Sequence, residues 1–293
     1  MTDGRFVVLE DRGVLAVGGA ERATFLQSVV SNDTARISGA CAIYAALLTA
    51  QGKYLHDFML VEVGDTIWLD GERERLGDLQ RRLSMYRLRA KVTLDDRPDL
   101  AVGVLFGGAM LGLPDKPGAA RALGAGIAFV DPRLAALGDR IILPREHIRR
   151  VLSESGATET DFAEYDRLRL GCGIPDGSRD LILDKSILLE SGFDELNGVD
   201  WQKGCYIGQE LTARTKYRGL IKKRLFPVRI DGPAPEAGTV VTIDGREAGE
   251  MRSSQDGIGL ALLRLEAISA GRPLVAGNAR IVPMTSDWMR LPE

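Results

Sequence analysis

The stretch Lys203-Gly204-Cys205-Tyr206-Ile207-Gly208-Gln209-Glu210 stands where the chain changes character. Downstream of it, residues 224–230, 239–243, 247–253, 258–265 and 280–284 form short extended runs separated by Gly, Pro, Asp and Asn. Short strands at regular spacing with turn signals between them predict a small barrel or sandwich. Pro227, Pro233 and Pro235 crowd its entrance, as proline does at a boundary where a central strand would not tolerate it. Upstream, strands and helices mix. Residues 6–10, 14–17, 42–48, 54–63, 66–69 and 91–94 read as strands, with helices over 20–30 and 72–88; the first helix carries Ala23, Leu26, Val29 and Val30 at helical spacing. A second mixed group follows, with strands over 100–106, 127–130 and 140–143 and helices over 145–155 and 161–170. The reading is an α+β chain in three parts: residues 1–96 as a first lobe, 97–222 as a second lobe with the segment quoted above, and 223–293 as a C-terminal β-barrel or sandwich.

The chain has 293 residues, 45% of them hydrophobic and 27% charged, ordinary values for a folded protein too long for one core. Its formal net charge of -3 argues against a surface built to hold long nucleic acid, so direct nucleic-acid binding is not expected. Against that background the segment 203–224 holds seven basic residues and one acid, a local excess of six positive charges. It reads either as a concentrated anion-attracting surface or as a solvated basic face. Cys41, Cys172 and Cys205 are odd in number and far apart, and with only two histidines in the chain they predict neither a disulfide framework nor a metal site. No basic segment followed by an apolar one opens the sequence, and the uncharged stretch 100–114 is shorter than the roughly 20 apolar residues a membrane helix needs. These features lead to the expectation of a cytoplasmic protein with no membrane association.

No phosphate-binding glycine loop, dinucleotide fingerprint, nucleophile elbow or HExxH is present. Chemistry is therefore sought around Cys205. A helix starting near Gln209 and the cations around it would stabilise a thiolate, which makes Cys205 a candidate functional thiol. The plainer alternative is a small buried hydrophobe, the ordinary fate of a free cysteine and the role assigned to Cys41 and Cys172.

The signature itself resembles the K-G-C-Y-x-G-Q-E motif of the YgfZ family, relatives of the glycine-cleavage T-protein. Phe25-Leu26-Gln27 with Ser31-Asn32-Asp33, Leu48-Thr49-Ala50-Gln51-Gly52-Lys53, and Gly249-Glu250 through Gly259-Leu260-Ala261-Leu262-Leu263-Arg264 resemble the family as well. The resemblance implies two ferredoxin-like lobes around a central folate cavity plus the small C-terminal barrel. It implies a tetrahydrofolate-binding accessory protein that assists the maturation or repair of iron-sulfur enzymes, tRNA-modifying ones among them. Folate and iron-sulfur client or assembly proteins are then the partners, and Lys203, Gly204, Cys205, Tyr206, Gly208, Gln209 and Glu210 form the signature motif.

For the folate, Asp57 and Tyr165 are candidates at the pterin, and Lys203 and Arg214 at the glutamate tail, since a pterin favours apolar walls and edge hydrogen bonds while carboxylates favour cations. Tyr165 has the alternative of a core-facing helix tyrosine. Two departures from the T-protein weigh against aminomethyl transfer, the second function considered. The segment Arg169-Leu170-Gly171-Cys172-Gly173 carries Gly171 where the T-protein has a pterin-contacting Glu, and His56-Asp57 stands in place of an Asp-Asp pair. An RNA-binding module using the basic segment is the third reading, opposed by the acidic balance and the lack of interleaved aromatics.

Overall fold

The computed structural model describes residues 4–108, 111–219 and 221–291; the remaining residues lie outside the description. In chain order the elements are β1 (Arg5–Leu9), β2 (Arg12–Gly18), α1 (Arg22–Val29), β3 (Ile43–Leu48), β4 (Tyr54–Val63), β5 (Thr66–Glu72), α2 (Leu76–Arg87), β6 (Thr93–Asp96), β7 (Leu100–Phe106), β8 (Ala120–Leu123), β9 (Gly126–Val130), β10 (Asp139–Pro144), α3 (Arg145–Glu154), β11 (Thr158–Glu159), α4 (Phe162–Gly171), α5 (Gly177–Asp180) and α6 (Gln209–Tyr217). The last stretch holds β12 (Lys223–Asp231), β13 (Val240–Ile243), β14 (Arg246–Gln255), β15 (Ile258–Arg264), α7 (Leu265–Ser269), β16 (Leu274–Ala276) and β17 (Ala279–Pro283). The fold is α+β. It divides into two compact units, one of Met1–Leu48, Leu55–Phe162 and Leu196–Ile207, the other of Thr49–Tyr54, Ala163–Glu195 and Gly208–Glu293. Each unit is thus assembled from segments far apart in sequence.

The first unit holds two sheets, ordered β3-β4-β5-β2-β6 and β11-β1-β7-β10-β9-β8. β1 and β2 are separated only by Glu10 and Asp11, yet they enter different sheets. β1 runs antiparallel to β7, with Arg5 opposite Phe106 and Leu9 opposite Val102, while β2 lies between β5 and β6. Each sheet buries one face beneath helices. Leu76, Leu79 and Leu83 of α2 recur at helical spacing and join Phe25, Leu26 and Val29 of α1 over the five-stranded sheet. Ile148 and Leu152 of α3 cover the six-stranded sheet, their i, i+4 pairing leaving the charged remainder of that helix to solvent.

Between the two sheets runs a buried string of charges. Asp70 on β5 receives Arg12 Nε at 2.7 Å on one carboxylate oxygen and Arg140 Nη1, from β10, at 2.7 Å on the other. Arg140 Nε continues to Asp131 at 3.0 Å, and Arg133 grips the same carboxylate through Nε at 3.0 Å and Nη2 at 2.8 Å. Arg133 stacks over the Tyr44 ring at 5.6 Å, and the Tyr44 hydroxyl donates to Asp57 at 2.8 Å. Burial alone would raise the Asp131 carboxyl, but the guanidiniums of Arg133 and Arg140 outweigh it and hold it well below the usual carboxylate range.

His56 on β4 is also buried, with Nε2 2.9 Å from Asp78. Burial and the nearby Arg75 lower its pKa to about 4, against the opposing pull of Asp78. Between pH 4 and about 6.5, the ordinary histidine value, the unfolded chain binds a proton that the folded chain does not, so stability rises with pH across that window. The expected result is a melting temperature that falls as pH drops from 7 to 5. That slope should be flatter in His56→Asn, and equal slopes in the two proteins would refute the assignment.

The second unit is built on the closed barrel β12-β15-β14-β13-β16-β17, completed by the antiparallel pairing of β17 with β12. Its interior is filled by Phe226, Val228, Val241, Ala248, Met251, Ala261, Leu263 and Ile281. The residues of α4 and α5 are tied to β14 by a second buried network. Arg169 of α4 contacts Asp166 at 2.6 Å, Asp180 of α5, and Ser253 Oγ at 2.7 Å, while Asp180 accepts from the Ser253 hydroxyl at 2.6 Å and its amide at 3.0 Å.

Candidate functional site

In the first unit the segment Leu196–Ile207 returns to the turn that follows α1, and short polar side chains fix the meeting. Ser31 and Asn32 are buried. Ser31 Oγ donates to Gly198 O at 2.6 Å and accepts from Ala46 N at 2.8 Å. Asn32 Nδ2 donates to Tyr44 O and to Asn197 O, each at 2.7 Å. Asp200 then closes a small turn, its Oδ1 accepting from the amides of Gln202 and Lys203 at 2.7 and 2.8 Å. Lys203 reaches in the same direction, and its Nζ donates to Val30 O at 2.6 Å and Asn32 O at 2.7 Å. Burial lowers the Lys203 pKa to about 8, with Asp33 and Asp200 opposing the shift.

Beyond this anchor the chain surfaces for two residues and dives again. Gly204 and Cys205 are exposed, Tyr206 is buried with Lys203 Nζ 5.1 Å from its ring centre, and Ile207 packs on the core of the five-stranded sheet. Cys205 is therefore held outward between two fixed neighbours and is not packed as a hydrophobe. Gly204 has no positive φ, and a Cβ built on it would meet nothing within 4 Å. The fold does not require a glycine there, and its effect is to leave the backbone beside the thiol uncovered.

The rest of the signature begins the second unit. Gly208 caps α6 with φ 80° and ψ 6°, a left-handed conformation that explains the glycine. The turn Thr49–Tyr54 packs against it: a Cβ on Gly52 (φ 74°) would lie 2.7 Å from Gly208 O and from Leu211 Cβ. Two of the sequence segments singled out, 48–53 and 203–210, thus meet at the start of α6. Gln209 is half-buried, and Glu210 and Arg214 are exposed on that helix; no partner for the Arg214 guanidinium is found among the described residues. Tyr165 is buried on α4. Gly171, the last residue of α4, is exposed with open space around it, so packing does not exclude a carboxylate there. Cys172 contributes its carbonyl, which accepts from Ser286 Oγ at 2.9 Å and Trp288 Nε1 at 2.7 Å, and Cys41 is half-buried. Asp57 belongs with Lys203 and Cys205 to the first unit, Tyr165 and Arg214 to the second. No group of three metal-ligating side chains occurs among the described residues.

The basic segment is less of an anion surface than its sequence implies. Lys203 is spent on carbonyls, Lys216 pairs with Asp194 at 2.9 Å, and Arg224 is buried against Glu195 at 2.6 Å. Arg214, Arg218 and Lys222 remain exposed. The neutralising acids come from an earlier stretch of chain, which a count over 203–224 does not include. Asp200 and Tyr44 were not singled out by the sequence. Of these only Asp200, an acid three residues before Lys203, carries a local turn signal. Lys203→Met should cost on the order of 1.5–3 kcal/mol through the loss of charge-assisted bonds and should speed reaction of Cys205 with a disulfide reagent severalfold. An unchanged thiol rate would show that the anchor does not hold the Cys205 loop.

A mixed two-sheet body with a closed six-stranded barrel defines a class by its fold, that of T-protein-like chains. The glycine cleavage aminomethyltransferase T from Bartonella henselae superposes with a TM-score of 0.78 over 98% of this chain and 86% of that one, at 15% identity, a likeness of fold alone. Residues 222–291 match the family model for the CAF17 C-terminal beta-barrel domain. The iron-sulfur cluster assembly factor IBA57, mitochondrial, of Homo sapiens is 36% identical over 305 residues, and that of Mus musculus 35% over 303, each alignment covering 96% of this chain and 84% of the relative. The chain belongs to the IBA57 family, within the wider YgfZ and T-protein group that its signature resembles. These relatives overturn the cytoplasmic expectation, since they are named as mitochondrial proteins and point to that compartment instead. The expectation rested on the lack of a secretory or membrane signal, which says nothing about a compartment reached by other routes.

Proposed function

We propose that the chain assists the maturation of iron-sulfur enzymes, tRNA-modifying ones among them, and that Cys205 is the thiol that meets the cluster or its carrier. The observation that carries this reading is Cys205 itself, exposed between the Lys203 anchor and buried Tyr206 in a chain that aligns across 96% of its length with iron-sulfur cluster assembly factors. Thiolates are the usual protein ligands of such clusters, and an exposed cysteine on a fixed loop can offer one without unfolding. Expression in cells lacking their own homologue is the test. Restored activity of iron-sulfur enzymes is expected, and no restoration at normal protein levels would refute it.

A reduced folate is the proposed cofactor. Exposed Arg214 on α6 is of the kind that pairs with a folate's glutamate tail, while Asp57, the pterin candidate, is buried and accepts from the Tyr44 hydroxyl. Lys203, committed to two carbonyls, is the weaker tail candidate. Saturable heat on titration with tetrahydrofolate is expected, weakened by Arg214→Ala; no heat at millimolar ligand rules the cofactor out.

Aminomethyl transfer is not assigned. Positioned acids and bases supply about 10²- to 10⁴-fold in rate, and Gly171 offers none. Methylenetetrahydrofolate should form from an aminomethylated lipoyl carrier well below about 1 s⁻¹. A faster rate would restore the transferase reading.

A further inference from the structure

The C-terminal end of α2 exposes six consecutive residues, Ser84 to Arg89. Among them Leu88 is 88% exposed, Met85 54% and Tyr86 38%. The amide of Ala90 donates to Arg87 O at 2.8 Å, closing a four-residue turn in which Leu88 is the first central residue, with φ 46° and ψ -109°. That is the first central position of a type II′ turn, which glycine normally occupies. A leucine is thus held in a conformation its side chain opposes and is thrust into solvent, the reverse of what folding alone would select.

The surroundings are basic. Residues 79–94 carry Arg81, Arg82, Arg87, Arg89 and Lys91 and no acid, in a chain of net charge -3. Arg81 and Arg82 share Asp78, and Glu21 accepts from the Lys91 amide at 2.7 Å. Arg87 has one long bond, to Val92 O at 3.4 Å, and no partner is found for the Arg89 guanidinium among the described residues.

We propose that this turn is a docking surface for a protein partner that presents acidic side chains around an apolar socket for Leu88. An apolar tip ringed by cations favours that occupant, with the leucine supplying the buried contact and the arginines steering and orienting the complex. Phosphates alone would make no use of an exposed leucine. The apolar face of α2, Leu76, Leu79 and Leu83, is buried in the core, so the helix has no wide apolar face left to lie in a bilayer surface.

The test places a p-benzoylphenylalanine photo-cross-linker at Ser84 of the full chain in cells and identifies the attached peptide by mass spectrometry. A protein adduct at a segment with Asp or Glu flanking apolar residues is expected. That segment, made synthetically, should bind the purified chain with an affinity that falls as salt rises and is at least about tenfold weaker for Arg87→Glu/Arg89→Glu. Leu88→Gly should lose binding to a similar degree while melting no lower than wild type, because glycine relieves the turn. The proposal is overturned by adducts only to lipid or RNA, by co-sedimentation with 20% cardiolipin vesicles that exceeds peptide binding, by peptide binding indifferent to charge reversal, or by the absence of any adduct above a control position on α3. None of these readouts involves cluster chemistry, so the outcome is independent of the role assigned to Cys205.

Discussion

A Cys205→Ser chain should accumulate normally, melt within about 2 °C of wild type and leave iron-sulfur enzymes inactive in cells that lack their own homologue. The small stability effect follows from placement. Cys205 is exposed, and the contacts that hold its loop are made by Asp200, Lys203, Tyr206 and Ile207. The large functional effect follows from chemistry, since serine keeps the size and a hydroxyl but is no soft ligand for iron and no partner in thiol exchange. Cys172→Ala provides the control. Its carbonyl, which survives the substitution, receives Ser286 and Trp288, so client activity should persist with a stability change of about 1 kcal/mol. Full client activity in Cys205→Ser, or its loss in Cys172→Ala at normal protein level, would mean that the wrong thiol has been chosen.

The largest stability effect is expected at Asp70. Its carboxylate is fully buried and shared between Arg12 and Arg140, so Asp70→Ala leaves two buried guanidiniums without the anion that they share. Breaking a buried ion pair by removing one partner costs about 3–5 kcal/mol, far above the 0–1 kcal/mol of an exposed pair such as Arg97 with Asp99. Thermal melting of Asp70→Ala beside Asp99→Ala reads the contrast. Equal shifts in the two variants would show that the string of charges between the sheets is ornamental.

Much of the secondary structure was legible because period and position agree. The leucines of α2, the Ile148–Leu152 pair of α3 and the glycine-punctuated strands after residue 223 announce themselves locally, and the barrel that closes there has the strand spacing expected. β1 was legible as a strand, but its sheet was not. Buried residues run without alternation through both β1 and β2, so neither carries a face pattern that would select a neighbour. β11 and β16 have 2 and 3 residues, too short for any periodic signal. At the site, the signature pointed to Cys205, while the reason it stands outward lies in residues 30–32 and 197–200, more than 160 positions apart. The same distance hid the role of Lys203, whose charge suggested an anion partner and whose ammonium instead ties two carbonyls.

The division of the chain between its two units has a consequence for synthesis. The first unit is incomplete until residues 196–207 have left the ribosome, and the second needs residues 49–54, made early, together with everything from 208 onward. Neither unit can close as a contiguous piece emerging in order, so each waits on contacts of high sequence separation, and such contacts are slow to form. Strands β2 to β10 therefore wait, partly assembled and with apolar edges exposed, while some sixty further residues are translated. Newly made chains should depend on holdase chaperones more than their length suggests, and truncations ending between residues 150 and 195 should aggregate rather than yield an independent first unit.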